Sequence, residues 1–275
     1  MNTQAQRASA FRALHERDGA FIIPNPWDAG TARLLTALGF EALATTSLGF
    51  ANTLGRADGA GAVSRAEVVA NCAEIVGATH LPVSADLENC YAHEPRAAAE
   101  MIRLAAEAGV VGGSIEDATG DKDKPLYDLG HATERVAAAV QAARRLPFPF
   151  ALTARAENFL RGNPDLDDTI RRLQAFEKAG ADVLMAPGLP DLAAVRSVCS
   201  ALSKPFNFMV GIRGKSFTAA ELEAAGVRRI SLATSLYRAA MSGLLAAARE
   251  VQDKGTFGYL DQALATPDLN TFMRS

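Results

Sequence analysis

The chain has 275 residues, 49% of them hydrophobic and 21% charged, with a net charge of −3 and a pI near 5.9. That balance excludes a disordered or fibrous protein, and without a basic excess it argues against a nucleic-acid or membrane-surface partner. Cys72, Cys90 and Cys199 have no metal-type spacing, which suits a reducing compartment better than a disulfide scaffold.

The N-terminal stretch MNTQAQRASAFRALHERDG is polar and helix-like, with no apolar core of a signal peptide. No apolar run is long enough to span a membrane, so the expected location is the cytoplasm. FIIP (21–24) is a first strand, followed by a helix near 28–38. Then come EALATTS (41–47), PVSADL (82–87), VGGSIED (111–117), PFALTAR (149–155), DVLMAP (182–187), PFNFMV (205–210) and RRISLAT (228–234). These eight short apolar runs suit strands buried on both faces.

From the second strand to the eighth, the starts alternate between Gly and Pro: Gly39, Pro82, Gly109, Pro149, Gly180, Pro205 and Gly226. Glycine ends a helix in a left-handed turn, and proline stops a helix and is tolerated at a strand's first position. A regular βα alternation with eight strands predicts a (β/α)8 TIM barrel, with an open doubly wound sheet as the competing topology. Residues 1–275 read as one domain, with a helical extension over about 235–275 made of a helix at 235–252 and a short tail helix. The connections 48–63 and 118–128 are long and follow strands, which places them on the catalytic face.

Polar residues gather just past the strand ends: Asn25-Pro26-Trp27-Asp28, Thr45-Thr46-Ser47 and on to Asp58, Asp86 with Glu88, Glu116-Asp117, Arg155 with Glu157, and Asn207. In a barrel these ends converge. Asp86, Glu88 and Glu116 repel unless a cation or proton lies between them, and an oxygen-only donor set favours Mg2+ or Mn2+ over zinc. The competing reading makes these acids helix caps or ion pairs. Asp28 precedes a helix and reads as its N-cap, with Trp27 packing beside the site. Arg155, at a buried strand end, needs an anion: a substrate carboxylate fits its fork, and Glu157 or Glu116 are the internal alternatives.

The runs NPWDAGTARLLTALGFEAL, TTSLGFANTLGRADG, PVSADLENCYAHEP, GVVGGSIEDATGDK and ARAENF, in that order over roughly 20–240, resemble the isocitrate lyase/phosphoenolpyruvate mutase superfamily. The resemblance implies a barrel whose last helix is exchanged between subunits of a homotetramer or dimer. It implies Mg2+ bound mainly through Asp86, with Asp58, Glu88 and Glu116 acting directly or through water. It further implies that Thr46, Ser47 and Leu48 cradle the substrate, that Trp27 and Asn207 complete its site, and that Arg155 binds a carboxylate. Catalysis is then expected from Arg155, Glu116, Asp58 and Lys122 through a pyruvate-like enolate.

Departures narrow the chemistry. The superfamily's lyases carry a KKCGH-like loop after the fourth strand, and here that loop reads ATGDKDKPLYDLGH, without cysteine. The mutases have Lys then Asn there; Lys122 matches, but Lys124 and Pro125 replace the Asn and its neighbour. Lys122 also reads as a solvated lysine in a charged run. A usual Gly-aromatic-Gly run is Cys90-Tyr91-Ala92, which should stiffen one wall, with Cys90 as either a wall residue or a displaced acid-base group. The expected activity is carbon–carbon cleavage or formation in a small oxo- or hydroxy-carboxylic acid. The alternatives are carbon–phosphorus chemistry on phosphonopyruvate and a barrel that binds a 2-oxo acid without turnover.

Overall fold

The computed structural model describes residues 3–59, 61, 63–215 and 217–274. Every apolar run of the sequence contains a strand: β1 (Phe21–Ile23), β2 (Leu43–Ala44), β3 (Val83–Ala85), β4 (Gly112–Glu116), β5 (Ala151–Arg155), β6 (Val183–Met185), β7 (Phe206–Met209) and β8 (Arg229–Ser231). They form one parallel sheet in the order β1-β8-β7-β6-β5-β4-β3-β2. The two ends meet where Ala44 N–H donates to Pro24 C=O at 3.0 Å, which closes the ring. This order excludes the doubly wound alternative, whose sheet has open edges.

The helices are α1 (Gln4–Glu16), α2 (Ala29–Ala37), α3 (Ser47–Thr53), α4 (Arg65–Gly77), α5 (Pro95–Glu107), α6 (Leu129–Arg144), α7 (Leu166–Lys178), α8 (Leu192–Ser200), α9 (Ala219–Ala224), α10 (Ser235–Lys254) and α11 (Thr266–Arg274). Gly39, Gly109, Gly180 and Gly226 all take positive φ, as the helix-ending role requires. Asp28 caps α2, accepting from Thr31 N–H at 2.7 Å.

One boundary differs from expectation. The run 41–47 is strand only over Leu43–Ala44, and Ser47 already begins α3, capped by Thr46. The 48–63 connection is therefore partly helical; its residues 60 and 62 lie outside the described residues. β-branched Thr45 and Thr46 disguised the change of period, because they suit a strand as well as a cap.

Helix α1 plugs the N-terminal end of the barrel. Phe11, His15 and Phe21 pack edge to face there. A Cβ on Gly112 would lie 2.8 Å from Phe11 and 2.9 Å from Ala151 O, so only glycine fits. The final helix behaves differently from the others. Along α10 only Tyr237 is buried, and Leu244, Leu245, Phe257, Leu260 and Leu264 on α10 and the segment after it are exposed.

Inward-facing residues align along one hydrogen-bonded row of the sheet. Glu116 pairs with Arg155, Arg155 with Met185, Met185 with Asn207, and Asn207 with Arg229. That row positions the site.

Candidate active site

A cavity of about 410 Å3 opens at the C-terminal ends of the strands. This is the face on which barrel loops assemble chemistry, and the size suits a small ligand. Of the residues expected from sequence, Thr46, Ser47, Leu48, Asp58, Asp86, Glu88, Glu116, Arg155 and Asn207 all line it.

Asp86 is the most heavily engaged acid. Its backbone N–H donates to Thr45 Oγ1 at 2.8 Å, which fixes the strand end. Its carboxylate accepts from Ser47 N–H at 3.1 Å and Ser114 Oγ at 3.3 Å, and meets Arg155 Nη1 at 3.1 Å. The Ser47 bond uses the first free N–H of α3 and leaves Leu48 N–H without a protein acceptor among the described residues.

Arg155 is a hub. Besides Asp86, its Nη1 meets Glu116 Oε1 at 2.9 Å, and its Nε and Nη2 meet Glu157 Oε1 at 3.0 and 2.9 Å. Burial opposes its charge, but Glu116, Glu157 and Asp86 outweigh that and raise its pKa. Both readings of Arg155 from sequence therefore have a footing: it faces the cavity, and protein carboxylates already occupy its fork. Arg161 comes within 3.6 Å of Glu116 and 3.8 Å of Glu157.

The other acids are strained electrostatically. Burial and the charges of Asp86 and Asp58 push Glu88 up to about 7. Burial, then Asp86, raises Asp58; burial raises Glu116 well above the carboxylate range despite Arg155. Among the described residues no three of these side chains converge into a ready-made metal cage. Asp58, Asp86, Glu88 and Glu116 instead line the cavity as separate carboxylates, an oxygen-only set of the chemistry that Mg2+ accepts.

Glu88 sits on an unusual turn. Glu88, Cys90 and Tyr91 adopt φ of 47°, 59° and 51°, a left-handed region that costs non-glycine residues roughly 1–2 kcal/mol each. Fully buried Arg135 of α6 holds this turn. Its guanidinium donates to His93 O and Glu116 O at 3.0 Å each, to Ala92 O at 2.7 Å and to Asn89 O. It also lies 4.4 Å from the centroid of the Tyr127 ring, whose hydroxyl meets His93 Nδ1 at 2.6 Å. Tyr91 OH donates to Glu88 Oε1 at 3.1 Å. Cys90 is buried, its thiol is pushed up to about 12, and it lines neither this cavity nor the adjoining one, which makes it a wall residue.

The model of the family described as phosphoenolpyruvate phosphomutase matches residues 11–252. The chain belongs to the isocitrate lyase/phosphoenolpyruvate mutase superfamily. A Burkholderia cenocepacia J2315 structure, described only provisionally as a lyase/mutase, is 53% identical with a TM-score of 0.96, covering 99% of this chain and 97% of that one. A 2,3-dimethylmalate lyase structure is 28% identical with a TM-score of 0.87, covering 99% and 95%. The 2-methylisocitrate lyase of Halalkalibacterium halodurans is 27% identical, covering 92% of this chain and 85% of that enzyme. Members of the superfamily thus include lyases, decarboxylases and phosphomutases.

Within this superfamily frame, two expected residues sit apart from the main cavity. Trp27 does not line it; its ring packs edge-on against Tyr237, 5.1 Å between centroids, and its Cβ underlies α3. The structure therefore places Trp27 beneath α3, outside the cavity in which a substrate contact was expected. Lys122 is exposed and lines an adjoining cavity that shares Glu88, Glu116 and Arg161 with the first. Its loop is a small hairpin, pinned by Thr119 N–H to Pro125 O and Thr119 Oγ1 to Lys124 O. Sequence reasoning missed Ser114, Arg161 and Arg229. The period-2 alternation in Arg229-Ile230-Ser231 signalled that Arg229 faces inward.

Proposed function

We propose that this protein is a Mg2+-dependent enzyme that makes or breaks a carbon–carbon bond next to a pyruvate-like enolate in a small oxo- or hydroxy-carboxylic acid. The observation that carries this reading is the setting of Asp86: a backbone fixed by Thr45, a carboxylate held by Ser47 and Ser114 and faced by Arg155, and a ring of acids whose own charges are disfavoured. Asp86 would hold Mg2+, or Mn2+ in its place, with Asp58, Glu88 and Glu116 acting through water. When bound, the cation supplies positive charge to the oxygen that develops as the enolate forms.

The chain's own residues do the rest. Arg155 orients the substrate carboxylate, exchanging one internal acid for it. Thr46, Ser47 and Leu48 border the same end, with Leu48 N–H as a free donor. Burial raises the pKa of both Glu116 and Asp58, which makes each a candidate to carry a proton to or from the substrate. Lys122 overlooks this region from its hairpin and would add charge or a proton.

The test is pyruvate release from oxaloacetate, 2-methylisocitrate, 2,3-dimethylmalate and phosphonopyruvate, with Mg2+ and with EDTA. Mg2+-dependent release from a carbon acid supports the proposal. Release from phosphonopyruvate alone supports carbon–phosphorus chemistry instead, which Lys122, lining a cavity together with Glu116, favours. Silence, with Mg2+-dependent binding of a 2-oxo acid, would leave a non-catalytic binder.

We also propose that the protein is a homo-oligomer, tetramer or dimer, in which α10 packs on a neighbouring copy. Ile22 on the outer face of β1 is 37% exposed, and Leu244 on α10 is 63% exposed. Apolar surface of this kind is buried in an assembly. Light scattering should give a mass above the 28.9 kDa of one chain.

A further inference from the structure

The barrel interior holds two arginines in very different company. Arg155 meets three carboxylates. Arg229, in the same row of the sheet, meets none among the described residues. It is 4% exposed and lines the same cavity. Its Nε donates to Asn207 Oδ1 at 2.8 Å, and its Nη1 lies 3.5 Å from His15 Nε2. Its Nη2 has no protein partner among the described residues.

A buried cation without a counter-ion is costly, and buried charges are normally paired. The neighbours do not supply the charge. Asn207 is neutral, with its amide donating to Ser231 Oγ at 3.0 Å. His15 is held neutral too, its pKa lowered to about 3 by burial and by Arg229 itself. Burial, then Arg155, pulls Arg229 down to about 9, which leaves it charged at neutral pH. Stability that a protein forgoes in this way is typical of a site that a ligand completes.

We propose that Arg229 binds a second anionic group of the substrate, deep in the barrel and opposite the Asp86–Arg155 end. The inference rests on the enolate reading and deepens it by assigning a residue to the substrate's second anionic group, a carboxylate or a phosphonate. Asn207 fixes the plane of the guanidinium through Nε and His15 stands by Nη1, which leaves Nη2 for a ligand in the cavity that the side chain lines. Met185 and Met209 line the same cavity and suit the carbon chain between the charges. Adjacent strands lie about 4.8 Å apart, so the three steps from β5 to β8 separate the two backbones by roughly 14 Å along the curved wall. Two arginines reaching inward from those strands leave a gap on the scale of a short diacid.

The test uses three unreactive probes of equal chain length: succinate, 3-phosphonopropionate and butyrate, titrated calorimetrically with Mg2+ into wild type, Arg229→Met and Arg229→Lys. Oxalate serves as a probe of the Asp86 end alone. We expect wild type to prefer a dianion over butyrate by at least tenfold. Arg229→Met should abolish that preference, leave oxalate and butyrate within about twofold, and melt no lower than wild type, because an unpaired buried charge is gone. Arg229→Lys should keep part of the preference. The larger loss, succinate or 3-phosphonopropionate, identifies the group that Arg229 receives. The proposal is overturned if Arg229→Met binds the dianions as wild type does. It is equally overturned if the variant melts well below wild type and loses oxalate binding too, which would make Arg229 a structural strut. Should oxalate fail to bind wild type with Mg2+ while dianion binding still depends on Arg229, the enolate reading fails and this anion site stands.

Discussion

Replacing Arg135 by methionine removes the pin of the Glu88 turn and keeps most of the side chain's apolar stem. Three backbone carbonyls, Asn89, Ala92 and Glu116, lose their only side-chain donor, while His93 O keeps the His131 ring at 3.0 Å. At about 1 kcal/mol for each carbonyl left unsatisfied, the loss is roughly 3 kcal/mol. The contact with Tyr127 adds about 1 kcal/mol. The guanidinium's own desolvation cost is recovered in the variant, so a net loss of about 3 kcal/mol is expected. For a chain of this size that corresponds to a fall in Tm of roughly 6–12 °C. Urea titration at constant m-value measures it. Arg135→Lys, with a single point of donation, should fall close to the methionine variant. Adding Cys90→Gly to Arg135→Met should recover about 1 kcal/mol, because glycine takes the left-handed turn without strain. A loss below about 1.5 kcal/mol for Arg135→Met, or no recovery with glycine, would refute the claim that Arg135 holds a strained turn in place.

Three other outcomes follow from the same geometry. Asp86→Asn should lower turnover at least a thousandfold and abolish the rise in Tm that Mg2+ gives the wild type; an undiminished thermal shift would remove Asp86 from the metal site. With Glu88 near 7 in the free protein, a carboxylate that helps to hold Mg2+ must first lose its proton, so Mg2+ affinity should rise about tenfold from pH 6 to pH 8, and a flat profile by calorimetry would exclude Glu88. His15, at about 3 in the folded protein against 6.5 unfolded, stays neutral while the unfolded chain takes up a proton. Stability should therefore decline as the pH falls from 6.5 towards 3, by about 2 kcal/mol at pH 5, and His15→Phe should flatten that decline in denaturant titrations.

The barrel was legible because its signals are local: Gly39, Pro82, Gly109, Pro149, Gly180, Pro205 and Gly226 precede the second to the eighth strands, and the strand runs are short and apolar. The acids Asp58, Asp86, Glu88 and Glu116 could be placed at one mouth because strand ends converge in such a fold. What the sequence left open depends on side-chain partners distant along the chain. Arg155 read as a carboxylate binder, with pairing to Glu157 or Glu116 as the alternative, and only the geometry shows its fork shared by Asp86, Glu116 and Glu157. Arg135 is one polar residue in a helical period, with nothing local to announce four carbonyls from the neighbouring loops. The Cys90-Tyr91-Ala92 run reads as an absence of glycine, whereas the backbone keeps glycine-like angles at Cys90 and Tyr91. Trp27 followed the motif order towards the site but turns under α3, because Tyr237 offers its ring an edge-on partner.

The central claim is that the Asp86 end of the cavity stabilises a pyruvate-like enolate with the help of a divalent cation. Exchange of the methyl protons of pyruvate in D2O, followed by proton NMR with Mg2+, with EDTA and with Asp86→Asn, tests it without knowledge of the natural substrate. Mg2+-dependent exchange by the wild type is expected, lost with EDTA and in the variant. Exchange no faster than in buffer, at pyruvate and Mg2+ concentrations that saturate the protein by calorimetry, would contradict it.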